Sequence, residues 1–240
     1  MSDDVSQHMQ VLFATPVGTF RLEGTEKLNA DLVKAIADRT NDKYRNPTPS
    51  QQIQNEVFES TFDLFSWASP PVKELFEVVM AYLGRVIAGV NDYSPDDMGR
   101  MSVFNEAWFH VTRRGGYVQP HIHPNASWSV VYCVQEGEKD PGHEDSGALV
   151  LHSPRMTAAM HTDPANLRPR PKFANDAMKL HLKDGDLVVF PSDILHSVSP
   201  YLGDGERITI AANFWFGAKE GEHDHWFQGR PAEHAGGTQG

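Results

Sequence analysis

Three histidines and one arginine have the spacing that points to chemistry in this sequence. His121 and His123 stand two positions apart, and side chains alternate between faces in an extended chain, so both imidazoles point the same way. Ile122 is predicted to point the other way, toward a core. Pro120 and Pro124 bracket the pair and favour a strand edge or a strand end. Two imidazoles on one face form half of a metal site.

The other half of this predicted site lies far downstream. Residues 185–191, which read GDLVVFP, predict a turn followed by a short buried strand, and His196 comes shortly after it. Residues 207–214 alternate between polar or small and apolar side chains, with Arg207 and Thr209 on the polar face. Such a strand suits the inside of an open barrel, where the arginine can meet an anionic ligand.

The elements that must position these residues change in type along the chain. An apolar residue at every third or fourth position predicts helices over residues 26–39 and 72–90. From residue 101 onward, short runs broken by glycine and proline predict strands. This order is typical of a mainly β protein, a cupin-like double-stranded β-helix (jelly roll) flanked by N-terminal helices. We predict one domain over 1–240, made of a helical lead-in at 1–100, a jelly-roll core at 101–217 and a tail at 218–240.

Composition narrows the classes of partner and compartment. The 240 residues are 40% hydrophobic and carry a formal net charge of −11, which disfavours nucleic acid and anionic membranes as partners. Cys133 is the single cysteine, lies in an apolar run and is predicted to be a buried hydrophobe in a reducing compartment. The sequence has no membrane-spanning run and no signal-peptide pattern, so we expect a cytoplasmic protein. The spare edges of a jelly roll suggest a homodimer.

Together these motifs resemble the iron(II)/2-oxoglutarate-dependent dioxygenases, most closely a bacterial and phage group of 2OG-Fe(II) oxygenases. The group's pattern runs His-x-His-Pro, then Ser and Tyr, then Phe-Pro-Ser, then His, then Arg and Asn. This sequence follows the pattern over roughly residues 100–217, and its first third resembles the group's helical lead-in more loosely.

The resemblance implies roles for individual residues. Iron(II) would be bound by the three histidines, and Arg207 would anchor the remote carboxylate of the cosubstrate 2-oxoglutarate. Thr209, on the same face as Arg207, would add a hydroxyl contact. Ser129 and His110 are further candidates for contact with the cosubstrate, although Ser129 and Tyr132 alternate faces and only one of them is expected inside. The implied reaction is oxidation of a small-molecule or peptide substrate, coupled to conversion of 2-oxoglutarate to succinate.

One residue departs from the superfamily pattern. Most members carry Asp or Glu where this chain has His123, and a neutral imidazole cancels none of the charge of iron. Three-histidine sites occur in cupin dioxygenases that do not use 2-oxoglutarate, so a metalloenzyme of that kind is an alternative. A non-catalytic metal- or ligand-binding jelly roll is another alternative. Asp193 is a candidate for completing the ligand shell instead.

Some of these residues also allow simpler interpretations that involve no binding site. A second His-x-His, His223 and His225, lies in the polar tail and is interpreted as solvated. Arg207 follows two acidic residues, Asp204 and Glu206, and could neutralise them in a surface turn. The proline-rich insertion at 153–176 is predicted to be irregular, with no role that the sequence reveals.

Overall fold

Two antiparallel sheets of unequal size dominate the computed structural model. The structure describes residues 9, 11, 14–48, 53–54, 56–138, 140–154, 164 and 177–223.

The larger sheet has six strands and carries the longest pairing in the molecule. In spatial order its strands are β1 (Gly18–Arg21), β9 (Asp186–Pro191), β6 (Trp128–Gln135), β11 (Arg207–Ala218), β4 (Met101–Thr112) and β3 (Val57–Glu59). All twelve residues of β4 pair with β11 without a register shift. Strand β4 begins at Met101, which confirms the prediction that strands follow from residue 101 onward.

The smaller sheet has five short strands. In spatial order they are β2 (Ile53–Gln54), β5 (Tyr117–His121), β10 (His196–Val198), β7 (Leu149–Leu151) and β8 (Met178–Leu180). His196 of β10 lies directly opposite His121 of β5 and opposite Leu151 of β7. Two antiparallel sheets with helices before them confirm the predicted mainly β, jelly-roll fold class.

Helices cover the outer face of the larger sheet. They are α1 (Glu26–Ala37), α2 (Pro70–Asn91), α3 (Pro95–Gly99) and a 3₁₀ turn (Leu64–Ser66). Helix α2 begins two residues earlier than predicted, because proline fits a first helical turn, where no backbone N–H donor is needed. Its stripe of Leu75, Val79, Leu83 and Ile87 is buried, as the four-residue spacing predicts. No helix among the described residues is long and apolar enough to span a membrane.

One face of the larger sheet packs against the helices, and the other faces the smaller sheet. On the helix side, residues such as Ile208, Ile210 and Phe214 of β11 join one continuous apolar core with α1 and α2. Side chains on the other face point toward the smaller sheet. This inward ladder consists of five cross-strand pairs of β11 and β4, which are Arg207–Thr112, Thr209–His110, Ala211–Trp108, Asn213–Glu106 and Trp215–Phe104.

A second, smaller apolar cluster lies between the sheets. It includes Cys133, Leu151, Phe190 and Ile194. It holds the strands that carry the histidines against the larger sheet. The predicted insertion at 153–176 lies outside the described residues except for Ser153, Pro154 and Pro164.

Candidate metal and cosubstrate site

The three predicted ligand histidines converge between the sheets. Strand β5 ends at His121, the chain turns through His123, and β10 begins at His196. The candidate ligand nitrogens of the three side chains all lie within 4.8 Å of one another. The ring centroids of His121 and His196, which face each other across paired strands, are 4.2 Å apart. Among the described residues this is the single cluster of three or more potential metal-ligating side chains.

Backbone carbonyls fix the orientation of two of the rings. Nδ1 of His121 lies 2.8 Å from the carbonyl oxygen of Gln119, and Nδ1 of His196 lies 2.8 Å from that of Ile194. A carbonyl can only accept, so each Nδ1 carries the proton and donates it. The lone pair of each ring is therefore on Nε2, which is the arrangement a metal-binding histidine needs.

Burial keeps the cluster neutral. Burial, helped by the neighbouring imidazoles, lowers the pKa of His196 to about 3 and that of His123 to about 4. Burial also lowers the pKa of His121. Because metals bind the unprotonated imidazole, the three rings are in the ligating form at neutral pH.

Arg207 lies at the deep end of the inward ladder and is buried, with 4% of its surface exposed. Burial lowers the pKa of its guanidinium, but an arginine stays charged. Among the described residues no acidic group pairs with it. Glu206 pairs with Arg113 and Asp204 with Arg114, so the surface-turn interpretation of Arg207 is wrong. A buried cation with no counter-charge favours an anionic ligand.

A glycine and the single cysteine of the sequence also lie near Arg207. Gly147 has a φ of +67°, and a Cβ there would lie 2.9 Å from Cδ of Arg207, so glycine makes room for the arginine. Sequence reasoning missed Gly147, because its role comes from an approach across the fold. Cys133 is fully buried and its thiol pKa is raised to about 12 by burial, which confirms it as a buried hydrophobe.

His110 is the fourth histidine of this region and is anchored by a buried acid. Its Nε2 lies 3.1 Å from a carboxylate oxygen of Glu59, whose other oxygen accepts from the amide of Asn46 at 2.8 Å. Glu59 is 2% exposed. Sequence reasoning missed this pairing, since Glu59 lay in a stretch without a clear period.

A cavity of about 50 Å³ links the histidine cluster with the arginine. The ladder residues His110, Thr209 and Arg207 line it together with the three histidines and Ser129. Ser129 hydrogen-bonds Asn213 at 2.8 Å and Ser192 at 2.9 Å, whereas Tyr132 faces the helices, so the predicted alternation is confirmed. Trp108 also lines the cavity, and its buried indole N–H has no acceptor among the described residues.

The structure corrects the expectations for Ile122 and Asp193, and the expectation for the tail histidines falls partly outside the described residues. Ile122 is 44% exposed and does not point to a core, because β5 ends at His121 and strand alternation ends with it. Asp193 is exposed and does not join the histidine cluster. His223 is exposed, and its partner His225 lies outside the described residues.

The donor set fits iron(II) and a dicarboxylate. Three neutral imidazoles on one side leave the remaining coordination positions of an octahedral ion open. The unpaired guanidinium and the orphan indole N–H offer donors to an anion in the same cavity.

Comparison with known proteins gives the same assignment. Residues 106–213, slightly less than half of the chain, match the family described as "Putative 2OG-Fe(II) oxygenase". A comparison with curated protein sequences found no match.

Solved structures share the fold at low identity. A prolyl-4-hydroxylase from Pseudomonas putida is 16% identical with a TM-score of 0.56, and the match covers 90% of this chain and 96% of that one. A Trichoplax adhaerens prolyl hydroxylase in complex with a hypoxia inducible factor peptide fragment is 12% identical with a TM-score of 0.54, covering 87% and 86%. HygX from Streptomyces hygroscopicus, with nickel, 2-oxoglutarate and hygromycin B bound, is 10% identical with a TM-score of 0.50, covering 84% and 83%.

The likeness to these structures shows the fold. The family match covers residues 106–213, the part of the chain that carries the three histidines and Arg207, and it is the comparison that points to 2OG-Fe(II) oxygenase chemistry.

Proposed function

We propose that His121, His123 and His196 bind the iron(II) of this oxygenase. The observation that carries the proposal is the convergence of three neutral imidazoles in one cavity with an unpaired, buried guanidinium. The chain's own contribution is to hold the rings of His121 and His196 by their Nδ1 protons, which leaves the lone pair of each on Nε2 for the metal.

Arg207 is proposed to bind the remote carboxylate of 2-oxoglutarate. A guanidinium meets a carboxylate through two parallel hydrogen bonds, and its burial excludes the water that would compete. Thr209 lies one inward position along the same strand and adds a hydroxyl to this end of the cavity. His110, held by Glu59, faces the cavity as a further contact, and contact with Ser129 stays a prediction because its hydroxyl already bonds Asn213 and Ser192.

The metal and cosubstrate supply the oxidising chemistry when bound: dioxygen is consumed, 2-oxoglutarate is converted to succinate and carbon dioxide, and the substrate is oxidised. The residues of the chain bind, orient and exclude water. The catalytic set is therefore the three histidines with Arg207.

The substrate is proposed to be a small molecule or a peptide. Support comes from two structures of the same fold, one in complex with a peptide fragment and one with hygromycin B bound. The net charge of −11 argues against nucleic acid. We further propose a cytoplasmic protein that forms one oxygenase domain over 1–240 and assembles as a homodimer, on the sequence arguments given above.

One observation favours a second candidate function. The ligand set contains no carboxylate, and three-histidine sites occur in cupin-type dioxygenases that do not use 2-oxoglutarate. In that case Arg207 would bind a carboxylate of the substrate itself.

An anaerobic titration separates the two. Iron(II) and then 2-oxoglutarate are added to the metal-free chain, and the visible charge-transfer band of a chelated 2-oxo acid is recorded. We expect a band in the natural protein, no band in His121→Ala, and a band that needs much more 2-oxoglutarate in Arg207→Ala. Tight iron binding without a band would overturn the use of 2-oxoglutarate and support the second candidate.

A further inference from the structure

The inward ladder continues past the histidine cluster to the open end of the barrel. Trp108 touches the cluster, with its ring centroid 5.7 Å from that of His123. The next pair outward on the same face is Glu106 with Asn213, followed by Phe104 with Trp215. Two residues along a strand span about 7 Å, so Glu106 lies one such step farther out than the ring that contacts His123.

Glu106, Asn213 and Trp215 line a cleft of about 380 Å³ that shares His123 and Asn213 with the inner cavity. Its walls are Glu106 and Trp215 on the larger sheet, facing Ile122 and Asn125 of the loop that follows β5. Because the cleft shares His123 and Asn213 with the inner cavity, it offers an approach to the proposed site.

The charge of this cleft is opposite to that of the deep end. Glu106 is exposed, and it forms no ion pair or hydrogen bond with any described residue. No lysine or arginine of the described chain lines the cleft. One pair of strands thus carries a cation, Arg207, at its buried end and an anion, Glu106, at its open end, and neither pairs with an opposite charge among the described residues.

An aromatic surface adjoins the carboxylate. The rings of Phe104 and Trp215 are nearly parallel, with centroids 6.2 Å apart and planes at 13°. Phe104 is 48% exposed, so the pair of rings presents an apolar surface next to the cleft. An indole beside a carboxylate offers a cation both a counter-charge and a π face.

We infer that the substrate of this oxygenase carries a cationic group, an ammonium or a guanidinium, on an apolar segment that packs on Trp215. The cation lies beside Glu106 and the bond to be oxidised lies farther in, next to the histidines. This inference rests on the proposed function for the position of the reacting bond. The preference for a cation depends only on Glu106 and Trp215.

The test uses three probes of one shape and different charge, which are 3-phenylpropylammonium, 3-phenylpropanol and 4-phenylbutanoate. Each is titrated into the full-length chain, first free of metal and then with zinc and saturating 2-oxoglutarate, so that the anionic probe cannot occupy the Arg207 end. The signal is the indole N–H resonance of Trp215, assigned by its loss in Trp215→Phe.

We expect the ammonium probe to bind about fivefold more tightly than the alcohol, and the carboxylate probe to bind most weakly. Glu106→Gln should remove the preference for the ammonium, whereas Glu74→Gln, which removes an exposed carboxylate of α2, should leave it unchanged. The preference should also fall as salt is raised, because the carboxylate is exposed.

Equal binding of the ammonium and the alcohol, a preference that survives in Glu106→Gln, or no shift with any probe would each overturn the inference. The outcome is separable from that of the charge-transfer titration. A band without a cation preference would overturn the inference alone, and a cation preference without a band would overturn the proposed cosubstrate alone.

Discussion

The six-stranded sheet carries Arg207, Thr209 and His110 on two strands of twelve residues, whereas the five-stranded sheet carries His121 and His196 on strands of five and three residues. The long strands pair without a break and are covered by helices on their outer face. The short strands show a register shift where β10 meets β5. The proposed cosubstrate end of the site is thus built into a continuous core, and the proposed metal end into short strands that depend on local contacts.

This difference predicts that a core truncation affects metal binding only when it lies in the smaller sheet. Leu83 of α2 is fully buried under the larger sheet, and Leu151 of β7 lies opposite His196 in the smaller one. Truncating either to alanine should lower the free energy of unfolding by about 2–5 kcal/mol, with the larger loss for Leu83. Because Leu83 lies on the far side of the sheet, Leu83→Ala should leave the iron(II) affinity of the folded protein unchanged, whereas Leu151→Ala should weaken it several-fold.

Urea unfolding and anaerobic iron titration at a temperature where both variants are folded measure the two effects. Equal loss of metal affinity in the two variants would show that the sheets do not act separately.

A direct change at the metal end should have the next largest effect. His196→Ala removes one of three proposed ligands and should lower iron(II) affinity at least about 100-fold, close to 3 kcal/mol. His181→Ala is the control, because His181 lies in the segment leading from β8 and pairs with Asp145 at the surface. Isothermal titration under anaerobic conditions gives both affinities, and a His196→Ala variant that binds as tightly as His181→Ala would rule out His196 as a ligand.

Lowering the pH should reduce the free energy of unfolding of the metal-free protein through the buried histidines. The pKa of His196 is lowered to about 3 and that of His123 to about 4 in the fold, against about 6.5 for an unfolded histidine. Their neutral form is favoured by folding, so stability is fully present above pH 6.5. It is lost as pH falls below 6.5, because the unfolded chain takes up protons that the folded chain does not accept.

Urea midpoints between pH 7 and 5 test this, since most carboxylates stay ionised in that window. Each histidine should contribute a loss of about 1 kcal/mol per pH unit. Replacing His196 by Gln should remove its share of the slope, and an unchanged slope would show that the buried ring is not its source.

The same contrast explains what could be predicted from the sequence. The alternation of residues 207–214 and the four-residue stripe of α2 each repeat over a long stretch, so periodicity alone placed Arg207 on the inner face and α2 on the core. The prediction for Ile122 was wrong, because alternation was extended one residue past the end of a short strand.

Contacts made across the fold gave no sequence signal. The approach of Gly147 to Arg207 and the pairing of His110 with Glu59 join residues 60 and 51 positions apart, and nothing in the local pattern of Gly147 or Glu59 marks them. The three-histidine convergence was found because His-x-His and the strand before His196 are local motifs that a known family also combines.

The smallest expected effect concerns Gly147, which lies against Arg207 at the proposed cosubstrate end. Gly147 and Gly24 both have a positive φ, so alanine at either costs about 1 kcal/mol of backbone strain. A Cβ at Gly24 meets nothing within 4 Å, whereas one at Gly147 meets the Arg207 side chain. Gly147→Ala should therefore weaken 2-oxoglutarate binding about fivefold while Gly24→Ala should not, with iron(II) affinity the same in both. The charge-transfer titration measures the affinity for 2-oxoglutarate. Equal affinity in the two variants would mean that Arg207 can shift and still contact the carboxylate. The continuous core of the larger sheet would then not hold the guanidinium in place.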